Sequence, residues 1–341
     1  VSRTPGLPDL TMTNLVLEAA TVQFPLVRHA VDAGWEFVSE AEALARRGGE
    51  GGLFFHDELR AALLRLNPGV VTAENVAAVI AEIEAAPPNI EGNKQLLEWL
   101  RGQRTTFVAG EKRSRNVRLI DFAALLAPGR NVFQVTIEWA FRQQWKKGNR
   151  PDVVFLVNGV PVALVECKNP KLKGAMEKAL VQLRRYEKET PEMLVAPQVF
   201  NLTHLIEYFY GVTWNTERKG GFNWRHDYAA AKAGLAEEYV QQESIPLHTS
   251  DGDLAAGENL LLAAESPAAG TRPTGYGDHV RTFFDRERFL TLLREWILFY
   301  TKDDDLKKTV LRLPHTRAVV KVVARCRDPH KTRGLVWHTQ G

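Results

Sequence analysis

The stretch "NRPDVVFLVNGVPVALVECKNP", residues 149–170, constrains the fold more than any other part of the chain. Two apolar, β-branched runs flank Asn158-Gly159, a strong signal for a tight hairpin because such turns need residues that tolerate positive φ. The hairpin reads as buried. Yet Asp152, Glu166 and Lys168 interrupt it where packing alone would place valines.

Side chains two apart on a strand share a face, so Glu166 and Lys168 project together while Cys167 points the other way. Whether Asp152 joins them depends on register. A two-residue Asn-Gly loop pairs Val157 with Val160 and sets Asp152 opposite Val165. A three-residue loop, a type I turn with Gly159 left-handed in a G1 bulge, pairs Leu156 with Val160 and puts 152, 164, 166 and 168 on one face. The sequence-based expectation is that even-parity register, or a bulge near Pro151 with the same effect.

Two carboxylates on one face repel, and a divalent cation is their natural partner. Oxygen ligands suit Mg²⁺ or Mn²⁺. A metal held by Asp152 and Glu166 can activate water and neutralise a phosphorane-like transition state, while Lys168 orients the water or stabilises charge. That chemistry is phosphodiester hydrolysis. The plainer reading makes Glu166 and Lys168 a solvated strand end and Asp152 a turn residue after Pro151; the apolar setting of all three favours the functional one.

Along the chain, residues 14–34 read as a helix interrupted near Pro25, and 57–86 as two amphipathic helices, the second opened by Thr72 as N-cap. A short helix is expected at 94–101. The β-branched runs TTFVAG, NVRLIDF and NVFQVTIEWAF then lead into the hairpin. Residues 173–189 have helical spacing, with Ala175, Ala179, Leu183 and Tyr186 on one face. At least one more strand follows in QVFNLTHLIEYFYGVTW, then punctuated sequence, then helical pattern at 285–300 and 314–326. At 341 residues the chain exceeds one typical core.

Composition excludes several classes. The hydrophobic share of 45% and charged share of 25% are those of globular proteins, not of disordered or fibrous ones. No apolar run of about 18 residues suggests a membrane span, and the N-terminal residues lack the pattern of a secretory signal, so a cytoplasmic location is expected. Cys167 and Cys326 are too few for a disulfide framework or a cysteine-based zinc site. The histidines show no ligand spacing, and no nucleophile elbow for Ser/His/Asp catalysis is present.

Pro151-Asp152, Glu166-Cys167-Lys168, and Gln182 with Tyr186 in QLRRY resemble the PD-(D/E)xK nuclease signature with the QxxxY addition of RecB-like members. The run "NVFQVTIEWAF…NRPDVVFLVNGVPVALVECKNP", with "GWEFV" and "LIDF" upstream and "RGLVWHTQG" downstream, resembles the N-terminal part of the restriction (R) subunit of type I restriction-modification enzymes. The resemblance implies an α/β fold, a central mixed sheet flanked by helices. It implies a nuclease domain over 1–242, a linker over 243–280, and a mainly helical start of a RecA-like motor over 281–341, ending before the motor's phosphate-loop lysine.

By the same resemblance Asp152 and Glu166 bind Mg²⁺ or Mn²⁺, Lys168 assists catalysis, and Gln182 and Tyr186 line the cleft and contact DNA. Tyr186 is equally readable as core and Gln182 as solvent-facing. Glu18 is a candidate auxiliary acid, or a helix surface charge. ATP belongs to the full-length subunit only. The implied partners are double-stranded DNA and the methylation (M) and specificity (S) subunits. Rival readings are a repair or recombination nuclease of the same fold, and a docking module whose nuclease site is vestigial.

The net charge of +3 does not by itself argue for a polyanion partner. Local clusters are more informative. Lys168, Lys171, Lys173, Lys178, Arg184, Arg185 and Lys188 follow the second strand, and Arg142, Lys146, Lys147 and Arg150 precede the first. Part of this set is expected to neutralise phosphates, Lys171 and Arg184 among them. A third basic run, Arg104 to Arg118, suits DNA or another subunit equally.

Overall fold

The computed structural model describes residues 19–123, 130–143, 145–217, 221–224 and 275–330. A π-helical turn at Ala19–Gln23 leads into α1 (Phe24–Asp32), which starts at the expected Pro25 break because proline is tolerated in a helix's first turn. Then come β1 (Glu36–Val38), α2 (Glu40–Arg46), α3 (His56–Leu66), α4 (Val76–Glu84) and α5 (Ile90–Leu100). Thr72 does not cap α4. Asn75 Oδ1 accepts from Thr72 N at 2.8 Å, tightening a turn before the helix begins at Val76.

β2 (Thr105–Val108) and β3 (Arg113–Asn116) form a separate two-stranded ribbon. The central sheet has seven strands: β1, β4 (Phe133–Ile137), β5 (Val153–Val157), β6 (Val160–Cys167), β7 (Val199–Thr203), β8 (Tyr208–Val212) and β9 (Phe222–Asn223). They lie in the order β1-β4-β5-β6-β7-β8-β9. The sheet is mixed: β1/β4 and β6/β7 are parallel, the other pairs antiparallel. α6 (Ala175–Glu189) is the crossover between β6 and β7, as a parallel connection requires.

The β5–β6 hairpin sits at the middle of this sheet, and every residue of both strands is buried. Its two sides therefore face two different cores. Val153, Phe155, Val157, Val162, Val165 and Cys167 pack with α1, α3, α4 and α5. Val154, Leu156 and Leu164 pack with Met176, Ala179, Leu180, Leu183 and Tyr186 of α6. The apolar face expected for this helix is the one it buries.

The remaining elements add to the first core. α7 (Tyr276–Phe283), α8 (Arg286–Thr291) and a π-helical segment (Leu292–Trp296) precede β10 (Ile297–Lys302) and β11 (Asp305–Val310), which pair as a hairpin before α9 (Leu313–Arg327). The helix expected over 285–300 thus stops short, and Ile297 onward is strand: pairing with β11 overrides the local helical spacing. Trp35 packs edge-on to Phe155, Phe133 and Phe289 at centroid distances of 4.8, 5.3 and 5.6 Å, and its Nε1 donates to Phe284 O at 2.7 Å. Phe283, Phe284 and Phe289 so share one core with the sheet. Most of the expected linker, the closing "RGLVWHTQG" and Glu18 lie outside the described residues. No helix among the described residues is long and apolar enough to cross a membrane.

Candidate active site

The hairpin turn is the two-residue kind. Asn158 and Gly159 both have positive φ, 51° and 78°, and Val157 pairs with Val160. The turn is locked from outside. Asn158 Oδ1 accepts from Val132 N at 2.8 Å and its Nδ2 donates to Leu119 O at 2.7 Å. At Gly159 a Cβ would lie 2.5 Å from Phe55 O, so only glycine fits.

This turn corrects the expected three-residue loop, and by itself it would set Asp152 opposite Val165. The parity is instead changed inside the strands. Leu156 pairs with Pro161 but Phe155 pairs with Ala163, a β-bulge that leaves Val162 extra. Pro161 has no N–H to give the ladder, which is where a ladder breaks most cheaply. Beyond the bulge Val153 pairs with Val165, a register that, carried one position past the ladder's end, sets Asp152 opposite Glu166. The expected common face is reached, by a bulge at the opposite end of the strand from Pro151.

Asp152 Oδ2 accepts from Cys167 N at 2.6 Å, fixing the carboxylate against the neighbouring strand. Lys168 Nζ lies 3.9 Å from Asp152 Oδ2 and 3.5 Å from Glu166 Oε2, and donates to Cys167 O at 2.7 Å. Glu166 is fully buried. Its Oε1 accepts from Tyr186 Oη at 2.7 Å, while Oε2 has no hydrogen bond. Burial, and then repulsion from Asp152, push the Glu166 carboxyl well above the usual range, against the pull of Lys168. Burial and the Glu166 charge likewise raise the Tyr186 phenol.

Gln182 and Tyr186, one turn apart on α6, meet here as well: Gln182 Nε2 donates to Tyr186 Oη at 2.7 Å. Tyr186 is core and part of the site at once, its Oη lying 3.2 Å from Arg150 O. In front of the cluster is an open cleft of about 460 Å³, lined by Asp152, Lys168 and Gln182 and by the guanidinium-bearing Arg142, Arg150 and Arg185. Glu166 lies behind this wall. Arg184 turns elsewhere, donating from Nε to Thr216 O at 3.1 Å, and the exposed Lys171 is not among the lining residues.

Two further residues stand close to the site, Gln23 and Glu138, and neither is among the expected site residues. Gln23, buried at the end of the first π-turn, donates from Nε2 to Asp152 O at 2.7 Å and to Glu138 Oε1 at 2.8 Å. Glu138, with φ of 52°, follows β4 beside Asp152; its N donates to Asp152 O at 2.9 Å and its Oε2 pairs with Arg150 Nε at 2.8 Å. An acid directly after the apolar run "FQVTI" was the available clue to Glu138. For Gln23 there was none.

Among the described residues no group of three or more His, Cys, Asp or Glu side chains gathers as a metal site. Two carboxylates are nonetheless a hard, oxygen-only donor set, and the buried Glu166 Oε2 is left without a hydrogen bond. Those features fit a divalent cation. The arrangement also presents arginines and a lysine to an anion entering the cleft.

The chain is 27% identical, over 293 residues, to a Methanocaldococcus jannaschii protein named as the MjaIXP endonuclease subunit of a type I restriction enzyme; the match covers 82% of this chain and 25% of that protein. It is 31% identical, over 179 residues, to the type I restriction enzyme HindI endonuclease subunit of Haemophilus influenzae, covering 48% of this chain and 16% of that one. The chain thus spans a quarter or less of the length of these relatives. Residues 16–217, which hold every element of the cleft, match the family described as the type I restriction enzyme R protein N terminus, and the chain belongs to that family.

Proposed function

We propose that the cleft is the DNA-cutting site of a type I restriction enzyme R subunit, built on a PD-(D/E)xK nuclease fold. One observation carries the reading: the bulge gathers Asp152 and Lys168 on the cleft wall with Glu166 directly behind them, Lys168 Nζ lying 3.9 Å from the Asp152 carboxylate and 3.5 Å from that of Glu166. Three charges inside an otherwise apolar hairpin are costly to the fold, and hydrolysis of a phosphodiester uses each of them.

Asp152 and Glu166 would hold Mg²⁺ or Mn²⁺, which supplies an activated water and neutralises charge on the scissile phosphate. The chain's own groups do the rest. Arg142, Arg150 and Arg185 draw the backbone into the cleft. Lys168 orients the attacking water and bonds the phosphate as its charge grows. Tyr186, held by Gln182, fixes the rotamer of Glu166. Water adds to phosphorus as the bond to one sugar oxygen breaks; the water gives up a proton and the departing oxygen gains one.

The substrate is double-stranded DNA. In the full-length subunit, cutting follows ATP-driven translocation by a motor in the remaining length, and methylation and specificity subunits choose the site. Supercoiled plasmid and the full-length subunit with Mg²⁺ give the test. Asp152→Ala lowers nicking by about 10³-fold, since metal-assisted stabilisation amounts to several kcal/mol. Equal nicking by both proteins eliminates the assignment.

A further inference from the structure

Between β4 and β5 the chain leaves the sheet as a short finger. Its base is one antiparallel bridge, Phe141 N to Asn149 O at 2.8 Å and Asn149 N to Phe141 O at 3.0 Å. That base is a wall of the cleft, through Phe141, Arg142, Gly148, Asn149 and Arg150. Ion pairs splint the finger from several sides: Arg142 to Glu50 at 2.9 Å, Lys146 to Glu192 at 2.5 Å, and Lys147 to Glu189 at 3.4 Å. Asn149 Nδ2 adds a bond of 3.0 Å to Thr190 Oγ1.

Trp145 stands on this finger with a relative exposure of 101%, as open as in an extended chain. Its φ is 65°, a left-handed conformation that is strained for a residue with a side chain. A large apolar ring is thus held in water, on a strained backbone, by a splinted loop. Strain and exposure of this kind mark a contact surface, not a packing solution.

The surroundings say what the ring meets. On α6, Lys178, Val181, Arg185 and Lys188 recur at helical spacing and are all exposed. Arg185 also lines the cleft. The finger's lysines tie it to Glu189, at the end of this helix, and to Glu192 just beyond. A row of cations that ends at an exposed indole, beside a cleft, matches a nucleic-acid strand: cations for phosphates, ring for a base face. A protein partner would be poorly served by so basic a track.

An intact duplex offers no base face to such a ring, because its bases are stacked on one another. Resting on the DNA-cutting reading above, we infer that Trp145 stacks on a base at the cleft mouth, and that the site therefore prefers DNA that is locally unstacked over uniform duplex.

The test is binding, measured apart from cutting. Fluorescence anisotropy of the 341-residue chain in chelator is compared on a labelled uniform duplex and on the same duplex with unpaired bases at its centre. The wild type binds the interrupted duplex more tightly. Trp145→Ala weakens that binding by roughly 5- to 150-fold, the worth of one stacked base, and leaves the uniform duplex unaffected. Trp145→Phe retains most of the preference. Equal affinities for wild type and Trp145→Ala overturn the inference, including the case in which the ring seats a protein partner. Those equal affinities, found together with plasmid nicking that is lost in Asp152→Ala of the full-length subunit, leave the cutting reading standing while this inference falls.

Discussion

Two hairpins of this molecule are closed by the same kind of turn, yet only one of them assembles a cluster of largely buried charges. In β10–β11, Asp303 and Asp304 are both left-handed, and six consecutive pairs follow from Lys302↔Asp305 to Ile297↔Val310 without a shift. In β5–β6, Asn158 and Gly159 are left-handed too, but the register shifts between Phe155 and Leu156. The arms explain the difference. Asp152 is the sixth residue before Asn158, whereas Glu166 is the seventh after Gly159. An unbroken ladder would put the acids out of step, and the bulge absorbs the odd residue. A directly opposed pair shares a face, so the bulge is what converts two scattered acids into neighbours.

The sharpest way to break the comparison is to change the count. Inserting one valine after Val162 leaves the bulge one residue short, sets Glu166 and Lys168 on the wrong face, and drives them into the aromatic core around Phe155. Plasmid nicking is then abolished, and stability falls by roughly 3–5 kcal/mol, the cost of unpaired buried charge. Deleting Val162 does the reverse. It evens the arms, removes the need for a bulge, keeps Asp152 opposite Glu166, and leaves nicking within about tenfold of wild type. Nicking by the insertion variant, alongside chemical denaturation of both, would refute the parity argument.

Much of this hairpin was legible in the sequence, for physical reasons that did not extend to its twin. Asn158-Gly159 announces its turn because few residues accept positive φ. The acids and the lysine stand out because their neighbours are apolar, and the buried stripe of α6 follows helical spacing from Ala175 to Tyr186. The bulge was foreseen only as an effect and only near Pro151; its place opposite Phe155 and Leu156 depends on pairing, which local pattern does not encode. β10 was misread as helix because Leu292, Leu293, Trp296 and Phe299 satisfy helical spacing; the strand appears only once β11 is beside it. Gln23 reaches Asp152 across 129 positions, a contact that local pattern does not encode.

Each hairpin also has one charge-bearing side chain with no exposure at all, Glu166 in the first and Lys308 in the second, and the two are treated differently. Lys308 of β11 is fully buried, and burial pushes its ammonium well below the usual range. Its Nζ nevertheless donates to Asn93 Oδ1 at 2.5 Å, Gln198 O at 2.8 Å and Thr213 Oγ1 at 3.1 Å. The group has all the acceptors it can use, so its role is to join α5, the residue before β7 and the residue after β8. Lys308→Met strands those acceptors and lowers stability by roughly 2–3 kcal/mol, while nicking per folded molecule stays at the wild-type level. A drop in nicking with unchanged stability would reverse that assignment.

Glu166 is the opposite case, since Oε2 has no hydrogen bond and the carboxyl is raised by burial and by Asp152. The folded protein then holds a proton that the unfolded chain has already lost, so stability from this group is intact below the ordinary glutamate value of 4.5 and declines as pH rises toward the raised folded value. Glu166→Gln cannot ionise. Without metal, it matches wild type in acid and becomes more stable by about 1 kcal/mol at mildly alkaline pH, a gain typical of relieving strain at a functional site. Added Mn²⁺ narrows or reverses the gap, because an ion that binds only the folded wild type stabilises it by mass action. Thermal midpoints across pH, with chelator and with Mn²⁺, measure both effects. A variant less stable than wild type at every pH would mean that Glu166 serves the fold as Lys308 does, and that the bulge aligns a structural ion pair.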